Sequence, residues 1–382
     1  MRTLILLLSL LFTPLFSPLA QAQAVPQPPQ IAARNWLLLD YGSGQELASG
    51  NADARIEPAS LTKLMTAYLS FEAIKQGTLK PSQIVPVSER AWKAQGSRMF
   101  IEPKRPVTVD ELLHGMIVQS GNDACIALAE IIAGSEEAFV QAMNREAQRM
   151  GLDHTHFMNA TGLPDPQHYS TARDLGRLVA ALIRDFPEYY PLYSIKEYSY
   201  NNIAQNNRNR LLWLDPQVDG VKTGHTEGAG YCLIASAKHG SRRLLAVVLG
   251  TETDGARAQE SQKLLNYGFQ FYDGVKLYDA NQAVSQLRVF KGAQNSVKAG
   301  FASELALSVP KGQAAQIKVQ LVSQQPLLAP VNPGQRVATL KLFLGSGEEQ
   351  RPWGEYPVVA LEAVPVAGIF GRAWDTLRLW FE

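Results

Sequence analysis

The spacing of apolar residues predicts helices and strands in a defined order over residues 25–275. Apolar side chains recur at three- and four-residue steps from Leu61 to Phe71, which predicts a helix over 58–76. Similar spacing predicts helices over 109–118, 124–133, 136–150, 171–183 and 256–272. Apolar runs predict strands over 35–40, 230–237 and 243–249, the last two as a hairpin. Strands on both sides of a helical block favour an α/β fold, with an antiparallel sheet and a helical lobe.

The pattern changes beyond about Gly274. Ile317, Val319 and Leu321 alternate with polar residues, and the stretch 337–342 alternates in the same way. Short alternating runs with glycine and proline between them are typical of small all-β domains. We therefore predict a small all-β domain over 276–365, following the α/β domain over 25–275.

The last segment, 366–382, has the period of an amphipathic helix. Its apolar face would carry Phe370, Ala373, Trp374, Leu377, Trp380 and Phe381. An aromatic-rich face of this kind is typical of helices that lie in a membrane interface. Two acidic residues offset its two arginines, so we expect weak attraction to anionic lipid. The alternative is a helix that packs on the β domain.

The first 24 residues have the features of a signal peptide. Arg2 precedes an apolar run over 4–12, and Ala20-Gln21-Ala22-Gln23-Ala24 supplies a small-residue cleavage site. Cleavage after Ala22 and cleavage after Ala24 both fit the pattern. A transmembrane anchor is the alternative, but two prolines and the small-residue end favour removal. The sequence therefore predicts an exported protein.

Composition and charge exclude several classes of protein. The chain has 382 residues and a formal net charge of +1, which argues against a nucleic-acid-binding surface. No glycine-rich phosphate loop follows a predicted strand, so no nucleotide cofactor is expected. His154 and His156 could form a metal pair, but no third ligand is near in sequence, and we expect no metal.

The chain has two cysteines, Cys125 and Cys232, both in apolar segments. Export places them in an oxidising compartment, where disulfides persist. We favour two buried free thiols. A single disulfide between them remains open.

Three short motifs carry the chemistry. They are Ser60-Leu61-Thr62-Lys63, Ser120-Gly121-Asn122 and Lys222-Thr223-Gly224. Found in this order within one domain, they indicate an active-site-serine enzyme of the type that processes or resists β-lactams. Chance matches to the first two motifs occur at 308–311 and 199–201, but Lys-Thr-Gly occurs once. The proline in 308–311 argues against the helix that a Ser-x-x-Lys site requires.

The residue types fit nucleophilic catalysis. A serine hydroxyl needs a base within hydrogen-bond reach, and a helix places Lys63 one turn after Ser60. A lysine acts as a base only when its pKa falls, and Lys222 could supply the neighbouring positive charge that lowers it. Ser120 could relay a proton, while the Asn122 amide could hold a lysine and a substrate amide.

The third motif leads into the predicted hairpin and so lies on a strand. An extended peptide could pair with this strand, and Lys222 and Thr223 would then meet its anionic end. Gly224 would permit close approach of the backbone. The backbone amides of Ser60 and His225 are candidate oxyanion donors.

Further segments surround these motifs, among them Asn159-Ala160-Thr161-Gly162-Leu163 and Ser120-Gly121-Asn122-Asp123-Ala124. With them, the chain resembles the low-molecular-mass penicillin-binding proteins, D-alanyl-D-alanine carboxypeptidases of peptidase family S11. The likeness covers nearly the whole mature chain. It implies that Ser60 forms an acyl-enzyme, with Lys63 as base and Ser120 and Asn122 assisting. It also implies that the terminal carboxylate of the substrate is bound by Lys222, Thr223 and Arg257.

The resemblance implies removal of the last D-alanine from a peptidoglycan pentapeptide, and acylation of the same serine by penicillins. It further implies a periplasmic enzyme that is attached peripherally to the outer face of the inner membrane. A D,D-endopeptidase acting on cross-links would use the same residues. A catalytically silent peptidoglycan-binding protein is the alternative from another class.

A β-lactamase would share the three motifs. Class A β-lactamases deacylate with a glutamate located between the second and third motifs. No glutamate occurs from Ala147 to Pro187, where it is expected. This gap and the separate β domain favour the carboxypeptidase.

Overall fold

The computed structural model describes residues 25–347 and 350–379. The predicted signal peptide, Trp380 and Phe381 lie outside the described residues. The α-helices are α1 (Lys63–Lys75), α2 (Glu89–Trp92), α3 (Val109–Val118), α4 (Asn122–Ala133), α5 (Glu136–Arg149), α6 (Ala172–Asp185), α7 (Leu211–Leu214), α8 (Asp254–Phe271) and α9 (Ile369–Arg378). Short 3-10 helices span Ala59–Thr62, Tyr190–Ser194 and Ala314–Gln316.

The strands fall into an early and a late group. The early strands are β1 (Asn35–Asp40), β2 (Glu46–Gly50), β3 (Ile84–Val85), β4 (Val107–Thr108), β5 (Glu197–Tyr200), β6 (Ile203–Asn206), β7 (Val218–Thr226), β8 (Gly230–His239) and β9 (Arg242–Thr251). The late strands are β10 (Tyr272–Tyr278), β11 (Ala283–Phe290), β12 (Ser296–Gly300), β13 (Leu305–Pro310), β14 (Ile317–Ser323), β15 (Leu327–Leu328), β16 (Arg336–Leu344) and β17 (Arg351–Ala360).

The first domain is built on one antiparallel sheet in the order β2-β1-β9-β8-β7. Alternate residues of its strands enter two different cores. Leu37 and Val247 pack with the helical lobe, whereas Leu38 and Val248 pack on the side of α8. The predicted α/β fold with an antiparallel sheet and a helical lobe is confirmed, and β7 forms one edge of the sheet.

The predicted first helix differs from the structure at its beginning. A continuous helix was expected over 58–76, but a 3-10 turn over Ala59–Thr62 precedes α1. Ala59 has a φ of 47°, a left-handed conformation that a regular helix cannot contain. Ser60 therefore sits on a separate tight turn, whereas Lys63 is the first residue of α1.

The β domain has its own apolar core and a six-stranded sheet in the order β14-β16-β17-β12-β11-β15. Its first strand, β10, pairs with β13 and spans the predicted boundary at residue 275. Ser308 lies on β13 rather than on a helix, and its Oγ donates a hydrogen bond to Asp40 at 2.7 Å. Arg242 forms an ion pair with the same carboxylate at 2.8 Å. This buried network joins the β domain to the catalytic sheet.

Both cysteines are buried free thiols, which confirms the favoured prediction. Cys125 donates from Sγ to the carbonyl oxygen of Gly121 at 3.1 Å. Within the described residues, no cluster of three or more His, Cys, Asp or Glu side chains is arranged to hold a metal ion. In the same part of the chain, none of the helices has both the length and the apolarity needed to span a bilayer.

Candidate active site

The three motifs meet in one cleft between the helical lobe and the edge strand β7. The cleft has a volume of about 330 Å³, and its walls include Ser60, Ser120, Asn122, Thr223 and Gly224. The two motif lysines lie behind this wall and are almost completely buried. The structure therefore brings together residues that are separated by more than a hundred positions in sequence.

Ser60 and Lys63 form a hydrogen-bonded pair. The Nζ atom of Lys63 lies 2.9 Å from Ser60 Oγ and donates to the carbonyl oxygen of Thr161 at 2.6 Å. The pKa of Lys63 is lowered to about 8, mainly by burial; Cys125 opposes the shift and the positive charge of Arg208 adds to it. Lys63 therefore loses its proton far more readily than an ordinary lysine, as a general base requires.

Lys222 is the second buried lysine of the site. Its Nζ donates to Ser120 Oγ at 3.1 Å and to the carbonyl oxygen of Thr223 at 3.0 Å. Burial lowers the pKa of Lys222 far below its usual range, and the charge of Lys63 lowers it further. Lys222 was expected to lower the pKa of Lys63, but burial is the main cause of the lowered pKa in both lysines.

Ser120 occupies the junction between α3 and α4. Its φ of 63° turns the chain sharply, and the next residue begins the approach to α4. Asn122 is buried, donating from its backbone to Ser97 O at 2.7 Å and from Nδ2 to Gln95 O at 2.6 Å. The sequence predicted a lysine as the partner of Asn122. The structure shows that its amide nitrogen holds the 95–97 loop against the cleft, while a lysine would bind the amide oxygen and stays a prediction.

Gly224 brings β7 against the turn that carries the nucleophile. A Cβ atom at this position would lie 3.1 Å from Pro58 O and 3.2 Å from the Cβ of Ala59. Glycine at this position allows close approach of another backbone, as predicted. The backbone that approaches is that of the 3-10 turn carrying Ser60. This packing places the backbone of His225 near Ser60.

Arg257 lies at the end of the cleft beyond Thr223. Its Nη1 donates to Gly224 O at 3.3 Å, and its guanidinium forms an ion pair with Asp254. The guanidinium carbon is 5.6 Å from the centre of the Tyr231 ring, and this ring lies tilted against His225 with the ring centroids 4.1 Å apart. Burial lowers the pKa of Arg257. A partly desolvated guanidinium is a strong binder of carboxylates.

Sequence reasoning missed several residues of the site. Arg208 lines the cleft, and its Nη1 donates to Ser97 Oγ at 2.8 Å. No local pattern points to it, because the chain returns to the cleft after β6. Asp123 and Asn159 fall inside segments that were noted, but no role was assigned to either. His168 also holds the nucleophile turn, because its Nε2 lies 2.8 Å from Thr62 Oγ1.

Asn159 organises the loop that faces the Ser60 turn. Its Oδ1 accepts from the backbone nitrogens of Gly162 at 2.7 Å and Thr161 at 3.2 Å. The Thr161 carbonyl is thereby fixed where it accepts from Lys63. The Asn-Ala-Thr-Gly-Leu segment therefore acts as a support for the base.

Two family models match the chain. Residues 21–253 match the model described as D-alanyl-D-alanine carboxypeptidase. The chain belongs to the D-alanyl-D-alanine carboxypeptidase family. Residues 272–366 match the model described as the C-terminal domain of penicillin-binding protein 5. The resemblance found in the sequence is thereby confirmed.

Named relatives and solved structures agree with this assignment. The D-alanyl-D-alanine carboxypeptidase DacC of Escherichia coli K12 is 43% identical over 378 residues, covering 96% of this chain and 93% of the relative. The crystal structure of penicillin-binding protein 5 from Haemophilus influenzae has a TM-score of 0.84 and 40% identity, covering 89% of this chain and 99% of that chain. Penicillin-binding protein D2 of Listeria monocytogenes, solved with ampicillin bound, has a TM-score of 0.59 and 31% identity, covering 64% of this chain and 100% of that chain.

The protein is a serine-type D-alanyl-D-alanine carboxypeptidase, a peptidase of the hydrolase class. This confirms the predicted activity and disfavours the β-lactamase alternative. None of the described residues that line the cleft is a glutamate. Asp254, the acidic residue among them, is paired with Arg257.

Proposed function

We propose that Ser60 attacks the carbonyl carbon of the terminal D-alanyl-D-alanine bond of a peptidoglycan pentapeptide. The observation that carries this assignment is the 2.9 Å contact between Ser60 Oγ and Nζ of the buried Lys63. Neutral Lys63 takes the hydroxyl proton as Oγ bonds to the carbonyl carbon. The peptide C–N bond then breaks, D-alanine leaves, and water hydrolyses the acyl-serine ester to regenerate Ser60.

Ser120 is assigned to proton delivery. Its hydroxyl lies on the wall of the cleft and is held 3.1 Å from Lys222 Nζ. In this role Ser120 passes to the leaving amine the proton that Lys63 took from Ser60, so that Lys63 is neutral again for deacylation, while Lys222 holds the Ser120 hydroxyl in place. Asn122 supports the same step because it fixes the 95–97 loop beside the substrate.

The terminal carboxylate of the substrate is assigned to Thr223 and Arg257, with Lys222 as a hydrogen-bond donor behind them. Thr223 and Arg257 both line the cleft, and Arg208 adds a second guanidinium charge to its wall. Charge-assisted hydrogen bonds to a carboxylate are stronger than neutral ones. This end of the cleft therefore selects a free C-terminus over an amide.

The oxyanion of the tetrahedral intermediate is assigned to the backbone amides of Ser60 and His225. The close approach at Gly224 supports this pairing, because it brings β7 against the 3-10 turn. Each such donor typically stabilises the transition state by about 2.7–4 kcal/mol. A side chain at position 224 would separate the two amides.

Acylation by labelled penicillin tests the nucleophile. We expect the wild-type protein to be labelled and Ser60→Ala to lose all labelling, because the only bond to the β-lactam forms at Oγ. Ser308→Ala is the matched control, since it removes the serine of the chance Ser-x-x-Lys match and leaves the cleft intact. Labelling of Ser60→Ala at the wild-type rate would refute the assignment.

The substrate is tested by comparing D-alanine release from a pentapeptide with cleavage of a cross-linked dimer. Release from the pentapeptide supports the carboxypeptidase reading. Cleavage of the dimer alone would move the protein to the D,D-endopeptidases. Wild-type protein that neither releases D-alanine nor reacts with penicillin would point to a silent peptidoglycan-binding protein.

We also infer that the protein is exported to the periplasm and is held at the outer face of the inner membrane by α9. Ile369, Trp374 and Leu377 are 74%, 59% and 57% exposed on this helix. Asp375, on the other side, accepts a hydrogen bond from the Lys291 backbone at 2.5 Å. The polar side of α9 thus contacts the β domain and leaves the apolar side free to enter a membrane interface.

Liposome flotation tests this attachment. Trp374→Ser is expected to lower the membrane-bound fraction severalfold, because an exposed indole contributes much of the buried area in an interface. Arg372→Ser is the control on the exposed polar side of the same helix. Equal flotation of the wild type and Trp374→Ser would exclude α9 as the membrane contact.

A further inference from the structure

We propose that a second groove, next to the catalytic cleft, binds N-acetylated sugar rings of the peptidoglycan glycan strand. The groove lies between α7 and the first turns of α8 and has a volume of about 500 Å³. Its principal side chains are Asn206, Arg210, Trp213, Leu214, Gln259 and Gln262. This inference rests on the proposed function, in which the stem peptide of peptidoglycan is the substrate.

The apolar wall of the groove is a short helix that turns its largest side chains outward. In α7, Leu211 and Leu212 are buried, whereas Trp213 and Leu214 are 48% and 65% exposed. Adjacent exposed apolar side chains at the rim of a groove are a common feature of ligand-binding sites. The Nζ atom of Lys196 lies 6.0 Å from the Trp213 ring centre and helps to orient the indole. The C–H face of a sugar ring packs well on an indole of this kind.

The opposite wall supplies neutral hydrogen-bonding groups. Gln259 and Gln262 face the groove from α8, while Gly255 and Ala258 on the same helix face leave room between them. A carboxamide carries both a donor and an acceptor, as does the N-acetyl group of an amino sugar. Arg210 lies 3.5 Å from the Asp254 carboxylate, which it shares with Arg257. The two carboxamides are matched to the N-acetyl group, and Arg210 adds a donor for sugar oxygens.

The groove is fixed relative to the reacting serine. Asp254 lines the catalytic cleft and Gly255 lines the groove, so the first turn of α8 is a wall common to both. On the other side, Nδ2 of the buried Asn209 donates to Gly220 O at 2.9 Å. Gly220 lies on β7, two residues before Lys222. The groove thus shares the first turn of α8 with the cleft, and the segment before α7 is hydrogen-bonded to the strand that carries Lys222.

The kinetic test compares two substrates, the free pentapeptide and the same pentapeptide attached to its N-acetylglucosaminyl-N-acetylmuramyl disaccharide. For Trp213→Ala we expect the KM of the disaccharide substrate to rise about tenfold, a loss of about 1.4 kcal/mol. The kcat for both substrates and the KM of the free pentapeptide should stay at wild-type values. Trp92→Ala is the matched control, because Trp92 is 43% exposed and has Lys93 at 5.8 Å from its ring.

A groove-filling variant gives independent evidence. A Cβ at Gly255 would meet only Arg210 Nη1, at 4.0 Å, so Gly255→Leu adds bulk to the groove without a backbone clash. It should raise the KM of the disaccharide substrate as Trp213→Ala does. Thermal unfolding of both variants should match the wild type, since the substituted positions are open.

Binding of peptide-free glycan strands, followed by tryptophan fluorescence, distinguishes two sources of the sugar. A KM effect on the disaccharide substrate assigns the groove to the strand that carries the scissile peptide. Weaker glycan binding by Trp213→Ala without a KM effect assigns it to a neighbouring strand. Wild-type behaviour of Trp213→Ala and Gly255→Leu in both assays would overturn the proposal. The proposed function stands or falls separately, on D-alanine release from the free pentapeptide.

Discussion

Lys63→Met is expected to lower the rate constant for acylation by penicillin by about 10²–10⁴-fold, the usual contribution of a positioned general base. Methionine has a similar length and no basic nitrogen, so the variant removes proton transfer and keeps the side-chain volume. The buried site already disfavours a charged lysine, and the neutral substitute should therefore leave the fold intact. Stopped-flow or quenched labelling measures the rate, and thermal unfolding checks the fold.

In the wild-type enzyme, the pH dependence of the acylation rate should reflect the titration of Lys63. The pKa of Lys63 is lowered to about 8, and only the neutral amine accepts the Ser60 proton. The acylation rate should therefore rise with pH through about 8 and level off above it. Its acidic limb should disappear in Lys63→Met, whose residual rate depends weakly on pH.

Lys238→Met is the matched control, because Lys238 is an exposed lysine on β8, the strand next to β7. It should keep both the wild-type rate and the acidic limb. A flat pH profile for the wild type, or a Lys63→Met rate within a few-fold of wild type, would remove Lys63 from the role of base.

The sequence predicted the parts of the site that depend on local spacing. Ser60 and Lys63 are three residues apart, so any helical turn brings them together, and the structure places Nζ 2.9 Å from Oγ. The strand carrying Lys222 followed from the apolar hairpin after it. For these residues, short-range geometry and pattern were sufficient.

Other parts depend on tertiary packing and could not be predicted. The lowered pKa values of the two lysines follow from burial, which spacing does not encode. Arg208 reaches Ser97 only because the chain after β6 folds back over the cleft. The amide nitrogen of Asn122 binds the 95–97 loop, a contact that no local pattern predicted.

The start of α8 also differs between the sequence prediction and the structure. The sequence placed the start of α8 at residue 256, whereas it begins at Asp254, because the Thr253 side chain accepts from Ala256 N and caps the helix. Thr253 is a typical N-cap residue, but the periodicity of apolar residues that defined the predicted helix begins only after it. The two additional residues at the start of the helix are important because one of them, Asp254, lies in the wall of the catalytic cleft.

Asp123→Ala is expected to destabilise the catalytic domain by about 3–5 kcal/mol, because several buried backbone groups lose their acceptor at once. The carboxylate is fully buried and accepts from Met99 N at 2.9 Å, Phe100 N at 2.8 Å and Ile101 N at 3.2 Å. It also accepts from Ala124 N at 3.0 Å. Alanine leaves these donors without water or a substitute acceptor, which is the costly case.

Asp123→Ala should also slow acylation under conditions where the variant is still folded. Asp123 holds the 99–101 segment, which follows the 95–97 loop bound to Asn122, so its loss should release that loop from the cleft. We expect kcat/KM for acylation to fall at temperatures where the variant remains folded. Chemical and thermal unfolding measure the stability, and labelling below the transition measures the activity. Asp153→Ala, at an exposed position on the same lobe, is the control and should change neither. If Asp123→Ala unfolded at the wild-type temperature and acylated at the wild-type rate, the loop would have to be held by its remaining contacts, and Asp123 would lose its place as the support of the second motif.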